Sequence, residues 1–590
     1  MCLKHKLLLF SFVILAESTF FASYTNACAR TNKKFYVEMF GAVGDGETND
    51  IAAFQALARA VNANGGGVVV FPKERVFSIS IEEDFNSGHR ALPIDGAIAL
   101  KFEHCKNVQV DLNGSTIQLT PNHSTKYDIF LFFDCASFSL SNGKIVGDAV
   151  GHDYTPVLYY GKEEKSSHEW GYGVHVQGSK GEIRDMDISR MTGDGIYYGS
   201  TRQKDVVYHA KIVVNKCFIS FCRRNGISCD ASSGFLLRDS KISHIGDWEI
   251  SSDMPVAMTG CMPKSGIDFE YEGKTGDVGD ITVSRCVFGD CTKFCIIASN
   301  VSKPDATRFV ISDCEFFGST VHTINLTSRE KKEIKNCRFS DAGAFFGDSN
   351  VCACVFEMGA LVNYVNGTSF IDCEFIGHLE KVDDKHGCFM GSINLDKTRF
   401  ERCKFKNIKG YNNRSPASQG FSGYIYPLNI DFVGCVFENC SFVVGQQKHE
   451  SRLAFYDCTL RNGCLIHNLG TEAITMEDSE LINVESYVEQ RGRFVLDRCI
   501  IVQDEESLER PFLLFGAHRL NKCNVIDRVG ITSATIRNYG IKEYKIEASD
   551  SDIILENDEN VTKGLSLKGG TLSGVIMEKF QGTQEKTVFK

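Results

Sequence analysis

The feature that most restricts this 590-residue chain is a short phrase repeated along it. A hydrophobic residue and two polar residues precede a cysteine, and any residue and then an aromatic or aliphatic one follow, as in Val283-Ser284-Arg285-Cys286-Val287-Phe288. The phrase centres on Cys217, Ser240, Cys286, Cys314, Cys337, Cys373, Cys403, Cys435, Cys458, Ser479, Cys499 and Cys523; neighbours are often 20 to 24 residues apart, with longer gaps where loops are inserted. A unit that short cannot bury its apolar face alone and has to stack on its neighbours. Each period supplies one coil of a parallel β-helix, whose short strands alternate inward and outward side chains and lie about 4.8 Å from their counterparts. The cysteine then occupies one inward position, where a thiol serves as a compact hydrophobe. A buried cysteine ladder is therefore expected, not a disulfide framework or a metal site, although Cys352 with Cys354 and Cys435 with Cys440 leave pairing open. With 43 Phe and 53 Gly against 10 Pro, the composition suits one long strand-rich core.

Residues 1–29 read as a secretory signal: Lys4 and Lys6 precede the apolar run 7–16, and Ala27-Cys28-Ala29 follows in a cleavage-site arrangement. Thr25-Asn26-Ala27 lacks the leucine that usually precedes a lipidated cysteine, which argues against anchoring at Cys28. Later stretches fall short of the roughly 18 apolar residues of a membrane helix, so no integral membrane segment is expected after signal removal. The expected location is secreted, periplasmic or at a bacterial cell surface. A formal net charge of -11 argues against a nucleic-acid partner.

The segment after the signal differs from the repeat. Phe40-Gly41-Ala42-Val43-Gly44-Asp45-Gly46-Glu47-Thr48-Asn49-Asp50 leads into an amphipathic stretch, 51–63, and then Gly65-Gly66-Gly67-Val68-Val69-Val70-Phe71-Pro72. This predicts a glycine-rich turn, a helix capped by Asn or Asp, and a buried strand, with the helix covering an open sheet edge. No Gly-Lys-Ser/Thr follows the glycines, so a phosphate loop is not expected. The segment resembles the N-terminal signature of the pectate-lyase-like superfamily. That resemblance implies an all-β fold, a single-stranded right-handed parallel β-helix (a solenoid) over residues 30–590, with an N-terminal capping helix region at 30–75 and a C-terminal cap at 540–590. A second resemblance, over roughly 142–272, is to exported bacterial polysaccharide-active β-helix proteins; it rests on Asp148, His152, His168-Glu169-Trp170, Gly193-Asp194-Gly195, Arg223-Arg224-Asn225-Gly226 and Gly266-Ile267-Asp268-Phe269-Glu270. Glu270-Tyr271-Glu272 stands where that group has Glu-Pro-Asn, which leaves any role of the Pro-Asn pair without a counterpart.

Glycine-led strands can be aligned coil by coil: 173–177, 195–199, 226–230, 266–270, then 295–299 and 323–327. Alternation turns the second and fourth residues of each inward. The third residues His175, Tyr197, Ser228 and Asp268, and the fifth residues Gln177, Gly199, Asp230 and Glu270, then face outward. In that register Asp230 and Glu270 stand one coil apart, about 5 Å at the backbone, with Asp268 about 6–7 Å along its strand. Crowded carboxylates raise one another's pKa, giving a proton donor beside an ionised partner, which is the pair that glycoside hydrolysis uses. Asp230, Asp268 and Glu270 are the expected catalytic set. His168, Glu169, Trp170, His175, Tyr197, Arg223 and Arg224 are the expected substrate-binding residues, since aromatic faces stack on sugars and arginine pairs with uronates. Asp194 reads as a turn residue.

The leading expectation is a glycoside hydrolase acting on a polysaccharide or complex glycan, with no cofactor. A polysaccharide lyase or uronate epimerase is the first alternative; there the acids could instead hold Ca2+. A non-catalytic glycan-binding or adhesive β-helix is the second.

Overall fold

The computed structural model describes residues 33–85, 92–155, 157, 168–203, 206–208, 210–230, 234–246, 261–270, 280–299, 308–318, 322–326, 332–340, 360–363, 368–377, 389–390, 398–408, 421–422, 429–444, 452–468, 473–488, 493–503, 517–527, 545–555, 565–573 and 582–590. The expected signal segment with Cys28, and the pair Cys352 and Cys354, lie outside them. The chain is a right-handed parallel β-helix in which three strands make each coil, and it divides into two compact units. The first is Met1–Leu236 with Glu249–Cys261 and Gly273–Thr275; the second is Leu237–Trp248, Met262–Glu272 and Gly276–Lys590.

In the first unit the helix Ile51–Ala63 lies over the strand Ile98–Glu103 and buries Phe54, Leu57, Ala58 and Val61. Phe54 meets Phe71 and Phe77 at ring distances of 5.6 and 5.5 Å, which fixes the helix to the first coils. The capping expectation needs correction: Asp50 makes no side-chain cap to the helix. Its carboxylate instead accepts the backbone N–H groups of Val43 and Gly44 at 2.7 and 3.1 Å and holds the glycine-rich turn, while Asn49 Oδ1 accepts the N–H of Ile51 at 3.2 Å.

Parallel pairing then repeats. Lys126–Phe133, Trp170–Gln177, Ile196–Gly199 and Ile227–Asp230 stack in one ladder in the first unit. Ser265–Glu270, Phe294–Ser299 and His322–Leu326 do so in the second. The core residues follow the alternation read from the sequence: Val174, Val176, Ile196, Tyr198, Ile227, Cys229, Ile267 and Phe269 are buried.

The cysteine ladder is present, and Cys435 and Cys440, whose pairing the sequence leaves open, are both free and buried. Ladder thiols bond weakly to main-chain carbonyls, as Cys403 does to Phe370 O at 3.5 Å. Two phenyl columns run beside them. In one, Phe288, Phe316, Phe339, Phe375, Phe405 and Phe437 stack at 4.7–5.0 Å with interplanar angles of 4–9°. In the other, Phe370, Phe400, Phe432 and Phe455 stack at 4.8–5.1 Å. Offset and edge-on rings gain beyond area burial, and the two columns meet edge-on, as Phe432 and Phe437 do at 4.9 Å and 89°.

Each ladder cysteine follows a residue in the left-handed region, among them Lys216, Arg285, Asp313, Asn336, Asp372, Arg402, Asp457, Arg498 and Lys522, with φ of 48–55°. This single left-handed residue turns the chain from one strand to the next in two residues. Asp and Asn tolerate it; Arg and Lys do so at greater cost. Several arginines there are held by an aspartate of the preceding coil: Arg285 by Asp239, Arg402 by Asp372 and Arg498 by Asp478.

Two outcomes are expected. Burial pushes the Cys217 and Cys222 thiols up to about 12, and the thiolate is the reactive form. Iodoacetamide at neutral pH should therefore leave ladder peptides unlabelled in native protein and label them in denaturant, as read by peptide mass spectrometry. Native labelling of Cys314 or Cys403 would show that the ladder is open. A Cβ at Gly195 would lie 2.6 Å from Ile219 Cγ2 and 2.8 Å from the Gly226 carbonyl. Gly195→Ala should cost about 1–3 kcal/mol in denaturant unfolding, and an unchanged midpoint would contradict this packing.

Candidate functional site

In the first unit the strand Trp170–Gln177 carries both Tyr172 and His175, whose rings meet at 5.4 Å. The register pairs His175 with Tyr197, Tyr197 with Ser228, and Gly199 with Asp230, as expected. In the second unit Asp268 pairs with Ile297 and Glu270 with Ser299. The expected acid set thus divides: Asp230 belongs to the first unit, Asp268 and Glu270 to the second. Outward in register does not mean exposed, since Asp268 is 1% exposed and His175 4%, whereas Asp230 and Glu270 are half-buried.

Around Asp230 the first unit gathers an aromatic and charged face. Tyr172 and Tyr197 stack at 4.8 Å and 13°. His175 stands edge-on to both, at 5.4 and 5.0 Å. The Tyr197 hydroxyl donates to Asp230 Oδ2 at 3.2 Å. Burial pushes the Tyr172 and Tyr197 phenols well above their ordinary value, so both stay protonated donors.

Arg224 donates to Asp194 Oδ2 at 2.8 Å and to Ser228 Oγ at 3.3 Å, and its Nε lies 3.9 Å from the Glu169 carboxylate. Asp194 also accepts the Asn225 N–H at 3.1 Å. Asp194 is thus a buried anchor that ties two coils together and aims Arg224, more than the turn residue expected. Trp170 and Glu169 are half-buried at the start of the same strand.

Two residues that sequence reasoning did not assign complete this face. Asp128, on Lys126–Phe133, is fully buried and its Oδ2 takes His175 Nδ1 at 2.9 Å. Burial pushes the amine of Lys126, two residues earlier, below its ordinary value, against the opposing pull of Asp128 and Asp84. Asp128 was hidden because it precedes the apolar run Ile129-Phe130-Leu131-Phe132-Phe133, which reads as core strand. Only its register against Tyr172 places it on the outer face.

His168 and Arg223 need correction as substrate contacts: each is 1% exposed and belongs to a buried network under the loop 148–155. His168 Nε2 meets Thr155 O at 3.0 Å, His168 Nδ1 meets His152 Nε2 at 3.0 Å, and His152 Nδ1 meets Asp148 Oδ2 at 2.7 Å. A carbonyl only accepts, so His168 donates from Nε2 and accepts at Nδ1. Asp148 also accepts from Tyr127 at 2.9 Å and from the Asn122 side chain at 2.7 Å. Arg223 lies 4.4 Å from the centre of the Tyr154 ring and donates to the carbonyls of His168 and Thr192. The physical reason for the correction is burial: both ring nitrogens of His168 are engaged, and Arg223 is turned inward against Tyr154 and two main-chain carbonyls.

Elsewhere, a trough of about 710 Å3 in the second unit runs beside the ladder turns, between rows that include Arg285, Asp313, Asp372, Arg402 and Glu374. Its charges pair with one another, as Arg338 does with Glu374. Among the described residues no group of three His, Cys, Asp or Glu side chains is placed to hold a metal ion. Among them, too, no helix is long and apolar enough to cross a membrane.

With this geometry in place, comparison with known proteins adds the following. The family model described as "Right handed beta helix region" matches residues 164–339. The match agrees with the right-handed parallel β-helix seen in the structure. It is similar to the SPbeta prophage-derived protein YorA of Bacillus subtilis (strain 168), 30% identical over 184 residues, covering 30% of this chain and 29% of that one. It is also similar to YclG of the same organism, 28% identical over 248 residues, covering 40% and 38%. The chain thus spans less than two fifths of the length of either relative. Among solved structures, the Dettilon tailspike is 12% identical with a TM-score of 0.37, covering 73% of this chain and 66% of that one. The A-module of the Azotobacter vinelandii mannuronan C-5 epimerase AlgE6 is 10% identical with a TM-score of 0.34, covering 80% and 100%. The Streptococcus pneumoniae surface adhesin PfbA is 11% identical with a TM-score of 0.34, covering 78% and 92%. At such identities no residue role passes from them to this chain.

Burial pulls the His168 imidazole down to about 4, helped by the neighbouring His152. A histidine depressed in the folded state binds its proton more readily when unfolded. Its neutral form therefore supports the fold fully above pH 6.5, and that support drains away as pH falls toward 4. Between these values one such group contributes at most about 1.4 kcal/mol per pH unit. His168→Asn should flatten the slope of unfolding free energy against pH between these limits; equal slopes for both proteins would exclude His168 as the titrating group.

Proposed function

We propose that the protein is an exported carbohydrate-active enzyme, a glycoside hydrolase acting on a polysaccharide or complex glycan, with its substrate face on the outer side of the third strands around Asp230. The observation that carries this reading is the hydrogen bond from Tyr197 to Asp230 beside the stacked Tyr172 and Tyr197 rings. A carboxylate aimed by a phenol, next to aromatic groups and the Arg224–Asp194 pair, combines acid–base capacity with groups that bind hydroxylated rings. Asp230 is the proposed acid–base group of this face, and Glu169, Trp170, Tyr197 and Arg224 the proposed contacts to the sugar.

The reading is tested by incubating the purified chain with a panel of neutral and uronate polysaccharides while following reducing ends and absorbance near about 235 nm, the signature of an unsaturated uronate from proton abstraction. New reducing ends without that absorbance are expected. Asp230→Asn should lower kcat by about 100-fold or more while glycan binding persists. Rising absorbance, with activity lost in a chelator, would establish a calcium-dependent lyase instead. Binding with no turnover, unchanged in Asp230→Asn, would establish a non-catalytic glycan-binding β-helix.

A further inference from the structure

The loop 148–155 is held to the first unit by imidazoles from three separate segments. Thr155 O accepts from His123 Nε2 at 2.8 Å and from His168 Nε2 at 3.0 Å. His168 Nδ1 lies 3.0 Å from His152 Nε2, and His152 Nδ1 lies 2.7 Å from Asp148 Oδ2. The His123 and His168 rings stack at 5.4 Å and 17°, and His152 stands edge-on to His168 at 5.2 Å. His123 comes just before the strand Lys126–Phe133, His168 just before Trp170–Gln177, and His152 from the loop itself. These two strands pair, so the three rings fasten the loop to two successive coils.

The ring-to-ring contact limits how many protons the cluster can hold. Two imidazole nitrogens 3.0 Å apart need one proton between them. When both carry one, two donors face each other and the hydrogen bond is lost. The surroundings meet a further charge poorly. From the loop, Asp148, His152, Asp153 and Tyr154 face His168, and Asp148 already accepts from Tyr127, Asn122 and His152. Asp153 is turned to the N–H and hydroxyl of Thr155. From the segment before Lys126–Phe133 comes His123, whose N–H is taken by Glu83. Arg223 brings a buried guanidinium 4.4 Å from the Tyr154 ring centre, with Cys261 bonded to its carbonyl, and Glu169 lies toward Arg224. Burial, His152, His123 and Arg223 together pull His168 down to about 4.

We propose that these imidazoles form an acid-operated latch, which keeps the loop 148–155 over His168 and Arg223 and releases it when a second proton reaches the His152–His168 pair. Once released, His168 returns to its ordinary 6.5, so each pH unit from 6.5 down to about 4 favours the released loop by up to tenfold. The change stays local, because the backbone ladders below the loop carry no titrating group of this cluster. Release uncovers the residue that leads into Glu169 and Trp170, and so links acidity to the start of the strand bearing Tyr172 and His175. The latch stands whatever chemistry that strand performs.

Hydrogen–deuterium exchange of the whole chain, corrected for the intrinsic pH dependence of exchange, tests this. The amides of Ala149, Gly151 and Asp153 bond to the carbonyls of Arg190, Asp148 and Asn122 and report the loop. From about pH 7 to about pH 4.5 their protection should fall by about tenfold or more, while peptides from the strand Lys180–Ser189 keep theirs. The wild-type measurement needs no variant to fold. His168→Gln retains an amide that can donate to Thr155 O but takes up no proton, so the acid step should be absent from it. Constant loop protection in the wild type, a loss shared equally by the strand peptides, or an unaltered acid step in folded His168→Gln would each overturn the latch.

Discussion

Within each unit, every side-chain position is set by parallel backbone hydrogen bonds that keep equivalent residues of successive coils opposite one another. This one constraint explains why phenylalanine stacks on phenylalanine and cysteine on cysteine: a shift by one residue would turn each inward column to solvent. The columns are the side-chain record of the register. The left-handed residue ahead of each ladder cysteine complements it, because it changes the strand direction without changing the count of residues. Backbone pairing and turn geometry therefore agree at each coil, which is the local and global consistency expected of a foldable repeat.

The same register produces two polar clusters with different consequences. Under the loop 148–155, Asp148, His152, His168 and Tyr127 are linked by hydrogen bonds, and Arg223 lies against Tyr154. On the outer face, Asp128 and His175 satisfy each other only in part, and among the described residues His175 Nε2 and Asp128 Oδ1 find no hydrogen-bond partner. Both clusters contain a carboxylate–imidazole pair, so residue type does not separate them. What separates them is the state of the second ring nitrogen, which is engaged in one case and open in the other.

Much of this was legible in the sequence. The repeat gave the coils, and hand alignment of the glycine-led strands gave the register of His175, Tyr197, Ser228 and Asp230 that the strand pairs show. The glycines themselves were legible because a Cβ at Gly195 would strike the next coil. Burial was not legible, because alternation tells which side of a strand a residue takes but not what covers that side. For that reason His168 and Arg223 were read as contacts for a ligand when they serve the loop. Asp128 was missed for the opposite reason: a polar residue in front of five apolar ones carries no periodic signal, and its role exists only through a neighbour 47 positions later.

The fixed two-residue bend at the ladder has a consequence for how such a chain can change over time. Ser284 and Val287, Ser312 and Glu315, Lys335 and Arg338, Ile371 and Glu374 are each separated by one left-handed residue and one cysteine, with no room for insertion. Extra residues in a coil must therefore enter at its other corners. Novelty in length is channelled to the connections flanking the third strands, so lineages carrying this architecture can remodel what surrounds the Tyr172 and Tyr197 face while the opposite corner stays the same in length.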